Sequence, residues 1–115
     1  MAGLLNKKTL RHLYSAFVRL PPFNRYPMPS PLKMRFEVMD SDDCDGLFTP
    51  SNMTIHIEAR QNSFKKMSEV LLHEMIHVLL YKRNMYTNKY AEHDGGFEEL
   101  ANEVCKLYKF NRKTF

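Results

Sequence analysis

Cysteine is scarce in this sequence, and it occurs in no paired motif. Cys44 and Cys105 are the only two cysteines among the 115 residues. A zinc ribbon needs cysteine pairs with two residues between the partners, so the sequence contains no site of that kind. In a reducing compartment we expect both thiols to be free.

The sequence also lacks a long, uninterrupted apolar run. A helix that crosses a bilayer needs about 20 consecutive apolar residues, and no stretch of this chain reaches that length. The N-terminal stretch MAGLLNKKTLRHLYSAF carries charges where a secretory signal peptide needs an apolar centre. We therefore expect an intracellular, cytoplasmic protein with no membrane partner, either free or associated with a nucleoid or nucleus.

Neither sign of charge dominates the chain. Lys and Arg number 17 against 13 Asp and Glu, which gives a net charge of +4. This excess permits contact with DNA but does not predict it, because nucleic-acid binding needs strongly clustered positive charge. With 43% hydrophobic residues, the chain has the composition of one globular domain over residues 1–115.

The first third of the chain has the pattern of a helix followed by a stiff connector. Apolar residues recur at helical spacing between residues 4 and 20. Five of the six prolines fall within residues 21–31, where they end the helix and favour an extended chain. We therefore divide the domain into an N-terminal helix and Pro-rich connector, residues 1–32, and a core, residues 33–110.

Alternating apolar and polar residues predict three short strands, at residues 33–39, 47–49 and 53–57. The acidic segment between the first two, residues 40–46, is typical of a solvated hairpin turn. We therefore expect a small antiparallel sheet. In the third strand His56 lies on the face opposite the isoleucines.

The most informative segment is FKKMSEVLLHEMIHVLLYKRN, residues 64–84, which predicts a helix buried nearly all round. His73 and His77 are four residues apart and therefore project from one face, where their imidazoles can bind one metal ion. Glu74 can reach a water molecule on that ion. Zinc lowers the pKa of its water to about 7, and a carboxylate accepts the proton as the water attacks a carbonyl group.

A catalytic zinc ion has three protein ligands and an open fourth position, so a third ligand must lie elsewhere. The short HExxHxxGxxH arrangement is absent, since Leu80 and Arg83 occupy the glycine and third histidine positions. We predict His93, because glycines follow it and imidazole is a common zinc ligand. The alternative is a carboxylate of the last predicted helix, residues 96–110: Glu98, Glu99 or Glu103.

The segments LLHEMIHVLL and HDGGF together resemble the SprT-like metalloprotease family. Its pattern is HExxH, a variable loop, and a histidine followed by Gly or Asp with an aromatic residue four positions on. The resemblance covers about residues 34–105 and implies a zinc-dependent peptidase of α+β fold. It implies Glu74 as the general base and three zinc ligands: His73, His77 and His93.

The Spartan-type branch of this family implies a role in the repair of DNA–protein crosslinks, with proteins trapped on DNA as substrates. This chain departs from many members because it has no CxxC pair for a C-terminal zinc ribbon. It therefore resembles a minimal version of the family. We expect its basic tail, residues 109–115, to be a solvated terminus.

Taken together, these patterns predict an α+β zinc metallopeptidase: an N-terminal helix, a small antiparallel sheet, the metal helix and a C-terminal helix. A protein or peptide substrate is expected to pair with an edge strand, here residues 53–57. The oxyanion needs a hydrogen-bond donor besides Zn²⁺, and the candidates are His56, Tyr86 and Tyr90.

Two other functions fit the same pattern. One is a non-catalytic, zinc-stabilised module that binds DNA or a protein. Glu74 favours the enzyme over this module, because a purely structural zinc site has no use for a carboxylate beside it. The other is hydrolysis of a different amide or an ester, since the pattern determines how water is activated and not which substrate is bound.

Overall fold

A computed structural model describes residues 5–60, 63–83, 93 and 95–115. These residues form a three-stranded sheet and three α-helices, which confirms the predicted α+β class. In chain order the elements are α1 (Lys7–Phe17), β1 (Arg35–Met39), β2 (Gly46–Thr49), β3 (Thr54–Glu58), α2 (Phe64–Arg83) and α3 (Gly95–Tyr108).

Helix α1 is shorter than the predicted helix at residues 4–20. It begins after Asn6, whose side chain accepts a hydrogen bond of 2.9 Å from the Thr9 amide, as a helix N-cap does. Its buried Tyr14 donates a hydrogen bond of 2.7 Å to the Pro29 carbonyl. This bond attaches the Pro-rich connector to the helix.

The sheet is mixed, so the prediction of an antiparallel sheet is wrong. The strand order is β1-β3-β2, with β1 parallel and β2 antiparallel to β3. Residues 40–45 therefore lead from one edge of the sheet to the other, and they are not the predicted hairpin turn. The central strand β3 is buried along nearly its whole length, whereas the edge strands β1 and β2 are each partly exposed.

The expected substrate strand, residues 53–57, is consequently not an edge strand. Thr54–Glu58 is paired on both sides, and Met53 precedes it in the left-handed conformation. The described edge strands are β1 and β2 instead.

The core lies between one face of the sheet and the helices. Phe36, Phe48 and Ile55 are in register across the three strands and are buried on that face. Tyr14 of α1 packs against Phe36, with 5.4 Å between their ring centroids. Helix α2 is buried nearly all round, as predicted, through residues that include Leu71, Leu72, Met75, Ile76, Val78 and Leu79.

Residues 109–115 are not the solvated terminus expected from the sequence. They fold back onto the body of the protein, since Phe110 and Phe115 pack against its hydrophobic core. Arg112 also forms an ion pair of 2.6 Å with Glu98 of α3. In the part of the chain that the structure describes, no helix combines the length and apolarity that membrane crossing requires.

Candidate metal centre

Helix α2 presents two histidines one turn apart. The helix begins after Ser63, whose hydroxyl accepts a hydrogen bond of 3.1 Å from the Lys66 amide. A serine in this position is a common helix N-cap. From this helix the His73 and His77 rings project together, with 5.1 Å between their centroids.

The third predicted ligand lies with this pair. His93 comes just before α3, and its Nε2 atom is 3.2 Å from Nε2 of His77. Its ring centroid is 5.1 Å from that of His73 and 5.0 Å from that of His77. One nitrogen from each of the three rings lies within 4.8 Å of the other two.

This donor set fits a zinc ion. Zinc–imidazole bonds of about 2.0–2.1 Å in a tetrahedral site place the nitrogen atoms about 3.4 Å apart. The separation of 3.2 Å between His77 and His93 is close to that value, and the largest separation in the group is within 4.8 Å. The three rings are therefore grouped closely enough for one ion to bind all of them.

Phe97 supports the third histidine from behind. This residue is 1% exposed in the first turn of α3. Its ring stacks on His93 at a centroid distance of 4.0 Å and an angle of 12°, and it lies 5.0 Å from His77. Packing of α3 against α2 therefore controls the orientation of His93.

The charge state of His73 suits metal binding. Burial, together with smaller contributions from the neighbouring His77 and His93, lowers the pKa of its imidazole to about 4. The ring is accordingly neutral at pH 7, which is the form that binds a metal ion.

Glu74 is buried beside the three histidines. It is 6% exposed, and burial raises the pKa of its carboxyl group to about 8. Glu74 and the histidines line a cavity of about 300 Å³. The remaining lining residues are Gly46, Leu47 and Phe48 of β2 and Cys44, which lies two residues before that strand.

Gly46 is a site residue that sequence reasoning missed. A Cβ atom at this position would lie 2.7 Å from Cγ1 of Val70 and 3.1 Å from Oε2 of Glu74. Only glycine therefore lets β2 pass this close to α2 beside the buried carboxyl group. The available signal was a glycine at the start of a strand, which often marks a close approach of the backbone.

Of the three proposed oxyanion donors, the structure describes only His56, which lies away from this cavity. His56 alternates along β3 with the core residues Ile55 and Ile57, so its side chain lies on the other face of the sheet. It is also not among the residues that line the cavity. Tyr86 and Tyr90 lie outside the described residues.

The carboxylates considered as alternative ligands are engaged elsewhere or exposed. Glu98 pairs with Arg112 and Glu103 with Arg25, each at 2.6 Å, while Glu99 is exposed on α3. Among the described residues, the three histidines form the one group with the composition and spacing to hold a metal ion.

Comparison with known proteins agrees with this architecture. The SprT-like family model matches residues 34–114, from just before β1 into the C-terminal tail. Searches of curated proteins and of solved structures each found no match. The family match does not distinguish the Spartan-type branch, but it is typical of a metal-dependent peptidase domain. Since it covers well over half of the sequence, this chain belongs to the SprT-like family.

Proposed function

We propose that this protein is a zinc-dependent metallopeptidase. The observation that carries the proposal is the convergence of three imidazoles beside a buried carboxyl group on the wall of one cavity. His73, His77 and His93 would hold the ion. When bound there, zinc would supply a water molecule with a pKa lowered to about 7 and a positive charge that polarises the substrate carbonyl.

Glu74 is the general base in this proposal. Its carboxyl group is next to His73 on α2 and lines the same cavity, so it can reach the reacting groups. It accepts the proton of the attacking water and later delivers it to the leaving amine. Burial by itself raises the pKa of this carboxyl group to about 8, which favours its protonated form at pH 7. A nearby dication favours the ionised form at the start of the cycle.

The substrate would lie along β2. This strand is at an edge of the sheet, and Gly46, Leu47 and Phe48 line the metal cavity. An extended peptide can add to such an edge through main-chain hydrogen bonds. Leu47 is 48% exposed and offers an apolar contact for a substrate side chain. We therefore assign substrate pairing to residues 46–49 instead of 53–57.

The proposal is tested with Glu74→Gln and a matched control, Glu99→Gln, which changes an exposed carboxylate of α3. Zinc content is measured by elemental analysis, and cleavage is measured with a fluorescent protein substrate with and without a chelator. Glu74→Gln should retain zinc and lose cleavage, whereas Glu99→Gln should match the parent in both. Cleavage by Glu74→Gln at the parental rate would remove Glu74 from this role.

Whether the natural substrates are DNA-associated proteins is a finer part of the proposal. The same assay with a DNA-binding protein as substrate, in the presence and absence of DNA, addresses it. A rate that rises with DNA supports such substrates, and an unchanged rate favours a peptidase that acts independently of DNA. Zinc binding without any cleavage would instead favour a non-catalytic zinc module.

A further inference from the structure

The C-terminal segment, residues 109–115, turns back at the end of α3. Lys109 follows the helix with a φ of 64°, which is the left-handed conformation. The amide of Phe110 then donates a hydrogen bond of 3.1 Å to the carbonyl of Cys105. This arrangement is a Schellman motif, which ends a helix and reverses the direction of the chain.

An arginine anchors the returning segment to α3. Arg112 is 2.6 Å from the carboxylate of Glu98, and its Nε donates a hydrogen bond of 2.9 Å to the amide oxygen of Asn102. Glu98 and Asn102 are one turn apart on the same face of the helix. The segment therefore runs back along α3 towards its N-terminal end, where Phe97 and His93 lie.

The segment ends against the first metal-binding histidine. The ring centroid of Phe115 is 5.2 Å from that of His73, and the ring of Phe110 packs against Phe115 at 6.1 Å. Phe115 and the neighbouring Thr114 also line a small pocket beside the His73 ring. His73 is thus held between Phe115 and Phe97, whose ring centroid is 5.0 Å away.

We infer that residues 109–115 position His73 for metal binding, through the Phe115 ring and through the Arg112 anchor. The residues that contact a metal-binding imidazole from outside the coordination shell fix the orientation of its ring, and loss of such a partner costs about 10–100-fold in metal affinity. This inference rests on the proposed zinc site. It assigns a role to residues that do not touch substrate or metal.

The test compares Arg112→Gln with Lys113→Gln in the full chain. The two residues are adjacent in sequence, and each substitution removes one positive charge. Lys113 is exposed, whereas the Arg112 side chain anchors the segment to Glu98 and Asn102. Zinc affinity is measured at fixed pH by competition with a chromophoric chelator. Arg112→Gln should bind zinc about tenfold more weakly, and Lys113→Gln should bind it as tightly as the parent.

A second pair of variants examines the contact itself. Phe115→Ala removes the ring from His73, and Phe115→Tyr retains it. The visible absorption spectrum of the cobalt-loaded protein reports the ligand geometry directly. It should change in Phe115→Ala and Arg112→Gln, and it should return to the parental form in Phe115→Tyr.

The outcomes separate this inference from the proposed function. If the parent binds zinc and Arg112→Gln and Phe115→Ala keep its affinity and its cobalt spectrum, the positioning role is refuted while the metal site stands. A loss of stability in the metal-free variants without any change in zinc affinity would likewise reduce the segment to a structural element. If the parent itself binds no zinc, the metal site and the inference both fail.

Discussion

Gly46→Ala is expected to disturb the contact between β2 and α2 beside the metal cavity. The added Cβ would lie 2.7 Å from Cγ1 of Val70, which is 6% exposed. Carbon atoms in ordinary contact are about 3.5–4.0 Å apart, so the two elements must separate by roughly 1 Å. Overpacking of a core on this scale typically costs about 1–3 kcal/mol of unfolding free energy.

The same substitution should also reduce catalysis. The added Cβ would lie 3.1 Å from Oε2 of Glu74, so movement of α2 displaces the proposed general base. A misplacement of about 1 Å can cost about 100-fold in rate. We therefore expect a lower kcat at saturating zinc, with zinc content measured in the same samples so that loss of the metal is recognised separately.

Urea unfolding and peptide cleavage measure the two effects, and the chain offers two controls. Gly95→Ala adds a Cβ that meets nothing within 4 Å, so its free energy of unfolding should not fall. Val70→Ala removes the Cγ1 atom, so Gly46→Ala should cost less stability in that background, with a coupling of about 0.5–3 kcal/mol. Parental stability in Gly46→Ala, or a loss that is the same with and without Val70, would refute the reasoning.

Three further substitutions test other contacts. Phe97→Leu removes the ring that stacks on His93 at 4.0 Å; it should weaken zinc binding roughly tenfold in the chelator competition, and unchanged affinity would contradict a supporting role. Burial raises the pKa of Tyr14, so its hydroxyl loses the proton at lower pH in the unfolded state than in the folded state, and the free energy of unfolding should fall as pH rises above about 10. Urea unfolding of Tyr14→Phe should show a smaller fall over the same pH range, and an equal fall would argue against this cause. Asn6→Ala removes the cap of α1 and should cost about 1 kcal/mol of unfolding free energy, whereas no loss would mean that the cap contributes little.

The metal helix could be predicted from sequence because its signals are local. Spacing along one helix places His73 and His77 on the same face, and an apolar surrounding makes two imidazoles and a carboxyl group costly without a ligand. His93 required more, since its position depends on how α3 packs on α2. The HDGGF segment, through the aromatic ring of Phe97, carried that information.

The sheet order could not be read from the sequence because strand pairing is a non-local property. The strand patterns of residues 33–39 and 53–57 are compatible with either direction of pairing. In the structure β3 is buried nearly throughout and lies at the centre, with β1 parallel to it on one side and β2 at the other edge, beside the metal cavity. The error about the substrate strand follows from this one.

The other features that the sequence did not predict are contacts between segments that are distant in sequence. Gly46 matters only because β2 passes beside Val70 and Glu74. The tail is ordered only because Arg112 meets Glu98 on α3 and Phe115 meets His73 on α2. A short, basic, aromatic segment has no periodicity that would predict such partners.

X-ray absorption spectroscopy of the zinc-loaded protein tests the central claim most directly. The claim predicts one zinc ion per chain, with three imidazole nitrogens at about 2.0–2.1 Å and one further light ligand. In His93→Ala one imidazole should disappear from the coordination shell. A parent with fewer than three imidazoles on the metal, or a His93→Ala spectrum identical to that of the parent, would contradict the assignment of His73, His77 and His93 as the zinc ligands.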